Sequence, residues 1–221
     1  HAASVLAAIN HRNNSGRGQY IDISLFESQM SGMLNAFSAW FNGQVELGRT
    51  GNDHPSAAPY GVYPVDDGFI LIATFNDREF GRLSRLLGHP EWVEDPRYAK
   101  NGARVANRPA LKAEITEALK GKTKAEWVEL LNAGTVSCGP INTIRDLEHD
   151  EQVLARDAVI SLEHPNLGTV RSPAAPFRMS DSPPTYRFAP PMVGEHTDEV
   201  LREVLGYSDE QLRSLHESGI S

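Results

Sequence analysis

The chain has 221 residues, 40% apolar and 23% charged, with 21 basic against 29 acidic side chains and a formal net charge of −8. That usage suits a globular protein of one large domain or two small ones, long enough to bury a core without disulfide or metal staples. It excludes a nucleic-acid binder, which needs clustered Lys and Arg, a disulfide framework or thiolate metal cluster, since Cys138 stands alone, and a transmembrane helix, since no run of about 18 apolar residues occurs. The first residue is His1 rather than methionine and no charged-then-apolar leader is visible, so a processed chain or a piece of a longer one is expected.

Residues 2–14 predict a helix, with Val5, Leu6 and Ile9 at helical spacing among alanines, ended by Gly16 and Gly18. Tyr20-Ile21-Asp22-Ile23 alternates with period two and predicts a short strand. Ser24 and Glu27 form a capping box that opens a helix to about residue 42. Its broad apolar stripe, from Phe26 through Met30, Met33 and Phe37 to Trp40, demands burial on more than one side.

Gly43 to Pro59 has three glycines, two prolines and almost no periodicity, which predicts a linker or a functional loop. Beyond it, 61–65 and 69–73 flank Asp66-Asp67-Gly68 as a β-hairpin. Asn76 and Glu79 then cap a helix whose inner face is Phe80, Leu83, Leu86 and Leu87, stopped by Gly88. A helix over 108–120 places Leu111, Ile115 and Leu119 in register. Thr123 and Glu126 cap another, with Trp127, Leu130 and Leu131 inward. Cys138-Gly139-Pro140 predicts a turn, 143–148 a short helix, and 158–163 with 169–171 a second hairpin. Six prolines between 172 and 194 predict an extended connector, and helices at about 197–205 and 208–217 close the chain.

The chain carries no P-loop, and Gly16-Arg17-Gly18 follows a helix rather than a strand, which fails the context of a dinucleotide fingerprint. No His pair has metal-ligand spacing. Cys138 is a nucleophile or, more in keeping with a free cysteine beside Gly-Pro, a small buried hydrophobe. Glu195, His196 and Thr197 precede a helix and suit caps, and 148–151 suits a solvated helix junction. The best local candidate is the loop 51–60, where Asn52, Asp53, His54 and Ser56 stand among small residues before a strand. A site lining and a plain linker with a solvated His both fit it.

Several segments, in order, carry a resemblance. They are Arg17-Gly18-Gln19-Tyr20-Ile21-Asp22-Ile23-Ser24-Leu25 after an Ala-rich helix, and Ala58-Pro59-Tyr60-Gly61-Val62-Tyr63 with Asp67-Gly68. Ala103 to Arg108, Cys138 to Asn142, and Gly194-Glu195-His196-Thr197-Asp198 complete the set. Together they resemble the family III CoA-transferases, which also include formyl-CoA transferase and α-methylacyl-CoA racemase. The resemblance implies an α/β fold, in which a small α+β domain is inserted into a Rossmann-like large domain, and an interlocked homodimer. Residues 1–45 and 194–221 would belong to the large domain, 46–60 to a linker and active-site loop, 61–165 to the small domain and 166–193 to a Pro-rich linker.

The resemblance also implies the activity: CoA passes between an acyl-CoA thioester and a carboxylic acid through a covalent aspartyl intermediate. The nucleophilic aspartate is expected upstream of His1, so no catalytic residue is assigned within the chain, and the chain alone is expected to be inactive. The expected substrate-binding residues are Asn52, His54, Pro55, Ser56, Ala57 and Tyr60. No permanently bound cofactor and no metal are expected, only CoA and its thioesters as substrates. No nucleic-acid or membrane partner is expected, and the location is cytoplasmic or an organelle matrix. The loop lacks the consecutive glycines of the oxalate-specific pattern, and its His-Pro type resembles members that use dicarboxylates with succinyl-CoA-type donors. The alternatives are a racemase-like isomerase, whose pattern has Glu where Pro64 stands, and a non-catalytic dimerisation module.

Overall fold

The computed structural model describes residues 1–220. They fall into two compact units, His1–Ile141 and Asn142–Ser221.

The first unit begins with three helices, α1 (Ala2–Ser15), α2 (Leu25–Gly32) and α3 (Leu34–Gly43), none of which buries a residue. α1 ends at Gly16 in the left-handed conformation, as the sequence predicts. Two expectations change here. The single helix over 25–42 is broken at Met33, directly after Gly32, the residue that loses most freedom on entering a helix. The strand over 20–23 does not form, because a strand needs a neighbour for its N–H and C=O groups and no described strand pairs with it.

The core lies further on. β1 (Tyr60–Val65) and β2 (Gly68–Ala73) form the expected hairpin, in register from Tyr60 opposite Ala73 to Val65 opposite Gly68. Its turn is tied down by α7 (Lys124–Ala133) and the residues before it. Asp66 Oδ1 accepts from the Gly121 N–H at 3.1 Å and Asp67 Oδ1 from the Lys124 N–H at 2.6 Å. β3 (Ser137–Pro140) replaces the predicted turn: Cys138 pairs opposite Ile72 on the free edge of β2. Pro140 sits at its end, where a missing N–H costs the ladder least.

α4 (Asp77–Leu86), α5 (Asn101–Ala106), α6 (Arg108–Ala118) and α7 pack with this sheet. Ile70 and Ile72 from the sheet meet Phe80, Leu83, Leu111, Ile115, Leu119, Trp127 and Leu131 in one continuous core. Burying a side chain of this kind contributes roughly 1.5–3 kcal/mol. The inner faces predicted for α4, α6 and α7 hold except at Leu130, which is 37% exposed, whereas the apolar stripe over 25–42 does not gain the expected burial and leaves Phe26, Met33 and Trp40 exposed.

The second unit holds α8 (Ile144–Leu147) and α9 (Glu151–Ala155), then the antiparallel pair β4 (Val159–His164) and β5 (Gly168–Pro173). A Pro-rich stretch without regular structure leads to α10 (Thr197–Leu205) and α11 (Asp209–Glu217), the latter opened by the predicted Ser208–Gln211 capping box. Among the described residues no helix is long and apolar enough to cross a membrane.

Candidate functional site

The loop ahead of β1 is closed on itself. The His54 N–H donates to the Tyr60 carbonyl at 2.9 Å, which brings its two ends together. Its far end is fixed to the hairpin, where Thr74 gives both its N–H and its hydroxyl to the Pro59 carbonyl, at 3.0 and 2.8 Å. Gly61 leaves room for the Asp53 carboxylate, since a Cβ there would stand 2.1 Å from Asp53 Oδ1. The same oxygen accepts from Lys112 Nζ at 2.8 Å, a half-buried ion pair that ties the loop to α6. Burial first, then the Asp53 charge, pushes the Tyr63 phenol above its ordinary value.

Within the loop the His54 ring stacks on Tyr60, with centroids 4.9 Å apart at 15°, and Phe75 meets both rings edge-on. His54 Nδ1 accepts from the Ser56 N–H at 3.2 Å. In the neutral ring the proton therefore sits on Nε2, which has no protein partner among the described residues.

A polar stripe from α5 and α6 grips the outer side. Asn101 accepts from the Ala58 N–H at 3.2 Å and donates to the Ser56 carbonyl at 2.9 Å. Arg104, fully buried, donates Nε to the Ala58 carbonyl at 2.6 Å, Nη1 to the Tyr98 carbonyl and Nη2 to Asp77, both at 2.9 Å, and lies over the Phe80 ring. Burial raises the Asp77 pKa, but hydrogen bonds from Arg104 and Lys100 outweigh it and hold the carboxyl below its ordinary value.

These contacts leave a pocket of about 540 Å³. His54, Pro55 and Ser56 line it together with Asn101, Gly102 and Val105, and Asn35, Ala39, Val45 and Leu47 complete its wall. Its mixed apolar and polar lining suits a short apolar chain carrying a polar end.

Residues 1–197 match the family model for CoA-transferase family III. The chain belongs to that family. It is 30% identical over 217 residues to the human succinyl-CoA:glutarate CoA-transferase, covering 98% of this chain and 50% of that protein. A succinate–glutarate CoA-transferase of Agrobacterium fabrum is 36% identical over 204 residues, 91% of this chain and 50% of its own length. A CAIB/BAIF family protein from Brucella suis, solved by crystallography, superposes with a TM-score of 0.74 at 34% identity, over 91% of this chain and 52% of that one. The family III chain thus spans about half the length of the curated relatives it matches.

Among the six residues that the family resemblance singles out, His54, Pro55 and Ser56 line the pocket. Asn52 is exposed, Ala57 is buried and Tyr60 is half-buried beneath the His54 ring, all three outside the lining. Sequence reasoning missed what Asn101 and Arg104 do. The available signal was the recurrence of polar groups at 101, 104, 108 and 112, which the structure divides between α5 and α6.

Cys138 is half-buried and its thiol is pushed up to about 11 by burial, which keeps it protonated at neutral pH and lowers its reactivity. In the second unit the family's Gly-Glu-His-Thr segment departs from the expected caps. His196 occupies the N-cap of α10 without a side-chain cap bond, and the Glu195 carboxylate turns back to accept from the Met192 N–H at 2.7 Å.

Proposed function

We propose that this chain supplies part of an enzyme that moves CoA from an acyl-CoA thioester to a carboxylic acid, with dicarboxylates and succinyl-CoA-type donors as substrates. One observation carries the reading: a family III chain holds a pocket lined by His54, whose Nε2 has no protein partner among the described residues, and by a wall that includes Ala39, Val45 and Leu47. The wall suits the methylenes of a short dicarboxylate, and an Nε2–H suits its distal carboxylate, because charge-assisted hydrogen bonds are the strong ones. The names of the human and Agrobacterium relatives, which pair succinyl and glutarate groups, support the same substrate class.

In this reading an aspartate attacks the thioester carbonyl, expelling CoA as thiolate and forming a mixed anhydride. The thiolate then attacks the aspartyl carbonyl of the anhydride, releasing the donor carboxylate and leaving an aspartyl-CoA thioester. The acceptor carboxylate attacks that thioester and the same steps run in reverse, so no net water or proton is consumed. The proposal places the aspartate outside these 221 residues, and CoA enters and leaves as substrate. Residues 1–45 and 194–221 are assigned to a Rossmann-like large domain, 61–165 to the small one, and the whole to a homodimer acting in the cytoplasm or an organelle matrix. The exposed Leu6, Phe26, Trp40 and Phe41 of α1–α3 support that assembly, since apolar faces of this kind call for a partner.

The test is incubation of the complete polypeptide with succinyl-CoA and glutarate, followed by chromatography for glutaryl-CoA and mass spectrometry for a covalent adduct. His54→Ala is expected to lower kcat/KM for the acceptor at least about tenfold, the loss of one hydrogen bond to a charged group. No transfer with any acyl-CoA and carboxylate pair removes the reading, and unchanged acceptor kinetics in the variant removes His54 from it.

A further inference from the structure

The segment that carries His54 is shaped by a side chain more than forty positions away. Asn101 Nδ2 donates to the Ser56 carbonyl at 2.9 Å and Asn101 Oδ1 accepts from the Ala58 N–H at 3.2 Å. One carboxamide therefore meets the loop main chain as a neighbouring strand would, pairing a carbonyl and an N–H two residues apart. Three residues along the same helix, Arg104 Nε holds the Ala58 carbonyl at 2.6 Å, so both polar groups of Ala58 are taken by α5.

Ser56 is the link to the ring, because its N–H donates to His54 Nδ1 at 3.2 Å. Two hydrogen bonds thus link Asn101 to His54 through the Ser56 main chain, and the second of them leaves the proton of the neutral ring on Nε2. We propose that Asn101 is a positioning residue for the CoA-transfer site, acting through Ser56 to set the placement and tautomer of His54, with Arg104 as its support. The inference rests on the function proposed above and adds to it a residue that determines how His54 meets its substrate.

Asn101 suits this role better than a purely structural one. It stands at the first position of α5 and is half-exposed, so trimming it opens no core cavity, whereas Arg104 is fully buried. It also lines the pocket beside His54 and Ser56. Without it, the Ser56 main chain loses its partner, the bond to Nδ1 loosens, and the imidazole is free to hold its proton on either nitrogen. Misplacement of a group by about 1 Å can cost about a hundredfold in rate while leaving remote binding intact.

The experiment uses Asn101→Ala, Asn101→Asp and His54→Ala in the complete polypeptide. Amide exchange is followed at residues 54–60 and kinetics are measured with succinyl-CoA and glutarate. In Asn101→Ala the Ala58 amide is expected to exchange at least about fivefold faster, the loss of one neutral hydrogen bond. In Asn101→Asp that amide stays protected, since a carboxylate oxygen still accepts from it, while the Ser56 carbonyl faces an acceptor instead of a donor. Both variants are expected to lose about 10- to 100-fold in kcat with the KM for succinyl-CoA unchanged. In the His54→Ala background Asn101→Ala should cost little more, because residues acting through one another are non-additive.

Unchanged exchange at Ala58, unchanged kcat with a loosened loop, or full additivity with His54→Ala would each overturn the proposal. A wild-type protein that transfers nothing overturns the transferase function and the catalytic half of this inference with it. The exchange measurement on the same protein still decides whether Asn101 holds the loop, so the two failures are distinguishable.

Discussion

Arg104 Nε donates to the Ala58 carbonyl at 2.6 Å, across 46 positions of sequence and entirely inside the core. This bond joins the pocket loop to the small helical layer, and the same guanidinium also serves Tyr98 and Asp77. Arg104→Met fills the volume but leaves the Ala58 and Tyr98 carbonyls without their donor. Replacing a buried charge by an apolar side chain can be neutral when its partners are replaced as well, but here they remain. A loss of about 3 kcal/mol is expected. Arg104→Lys keeps the charge but not the three-way fork, and should fall between the two. Urea denaturation followed by the fluorescence of the buried Trp92 and Trp127 measures both. A Met variant as stable as the wild type would remove Arg104 as the keystone.

Asp77 gives that keystone a pH dependence. Its carboxyl is held below the ordinary value of 3.8 in the folded chain, chiefly by the hydrogen bonds from Arg104 and Lys100 that outweigh burial. A carboxyl depressed on folding contributes stability that is complete above its unfolded pKa and disappears as pH falls through its folded pKa. Acid unfolding below about pH 4 should therefore be shallower in Asp77→Asn, which cannot lose that charge. The carboxylate side chain is 43% exposed, so solvent screens the pair and the difference will be small. Equal slopes in wild type and variant, measured by denaturation from pH 5 to pH 2, would show that the charge of Asp77 does not matter to Arg104.

The local physics of the first unit was legible from sequence because its signals are short-range. The Asp66-Asp67-Gly68 hairpin, the Asn76–Glu79 and Thr123–Glu126 caps, and the inward stripe of Leu111, Ile115 and Leu119 all depend on spacings of a few residues, and all are present. Failures came where the answer depends on a distant partner. Tyr20–Ile23 has strand periodicity but no strand beside it. Cys138-Gly139-Pro140 has turn composition but is drawn onto the open edge of β2. The pocket shows the same division. His54 and Ser56 stood out as polar groups in a flexible loop, whereas Asn101 and Arg104, more than forty residues on, became visible only when α5 packed against the main chain of that loop.

Gly61 is required by the close approach of Asp53. A Cβ at that position would stand 2.1 Å from Asp53 Oδ1 and 3.2 Å from its carboxyl carbon. Gly61→Ala should expel the carboxylate, break its 2.8 Å pair with Lys112 and cost about 1–3 kcal/mol, the usual range for overpacking. The cause can be isolated with a second change. In an Asp53→Gly background the obstructing carboxylate is gone, and Gly61→Ala should then cost little. If thermal unfolding shows the same penalty in both backgrounds, the conflict lies with the backbone rather than with Asp53.

Cys138 provides a prediction about reactivity. Its side chain lies on β3 against the core, and burial pushes the thiol up to about 11 against a weaker opposing hydrogen bond from the Gly139 backbone. At pH 8 only about one thiol in a thousand is then ionised, and the thiolate is the reactive species. Alkylation by iodoacetamide in the native protein should be slower by more than about a hundredfold than in urea at the same pH. In the complete polypeptide Cys138→Ser should leave the proposed CoA transfer within about twofold of the wild type, because Cys138 pairs with β2 and is not among the residues that line the pocket. Fast native alkylation that abolishes transfer would identify Cys138 as part of the reacting machinery and would require a covalent route other than the carboxylate one proposed above.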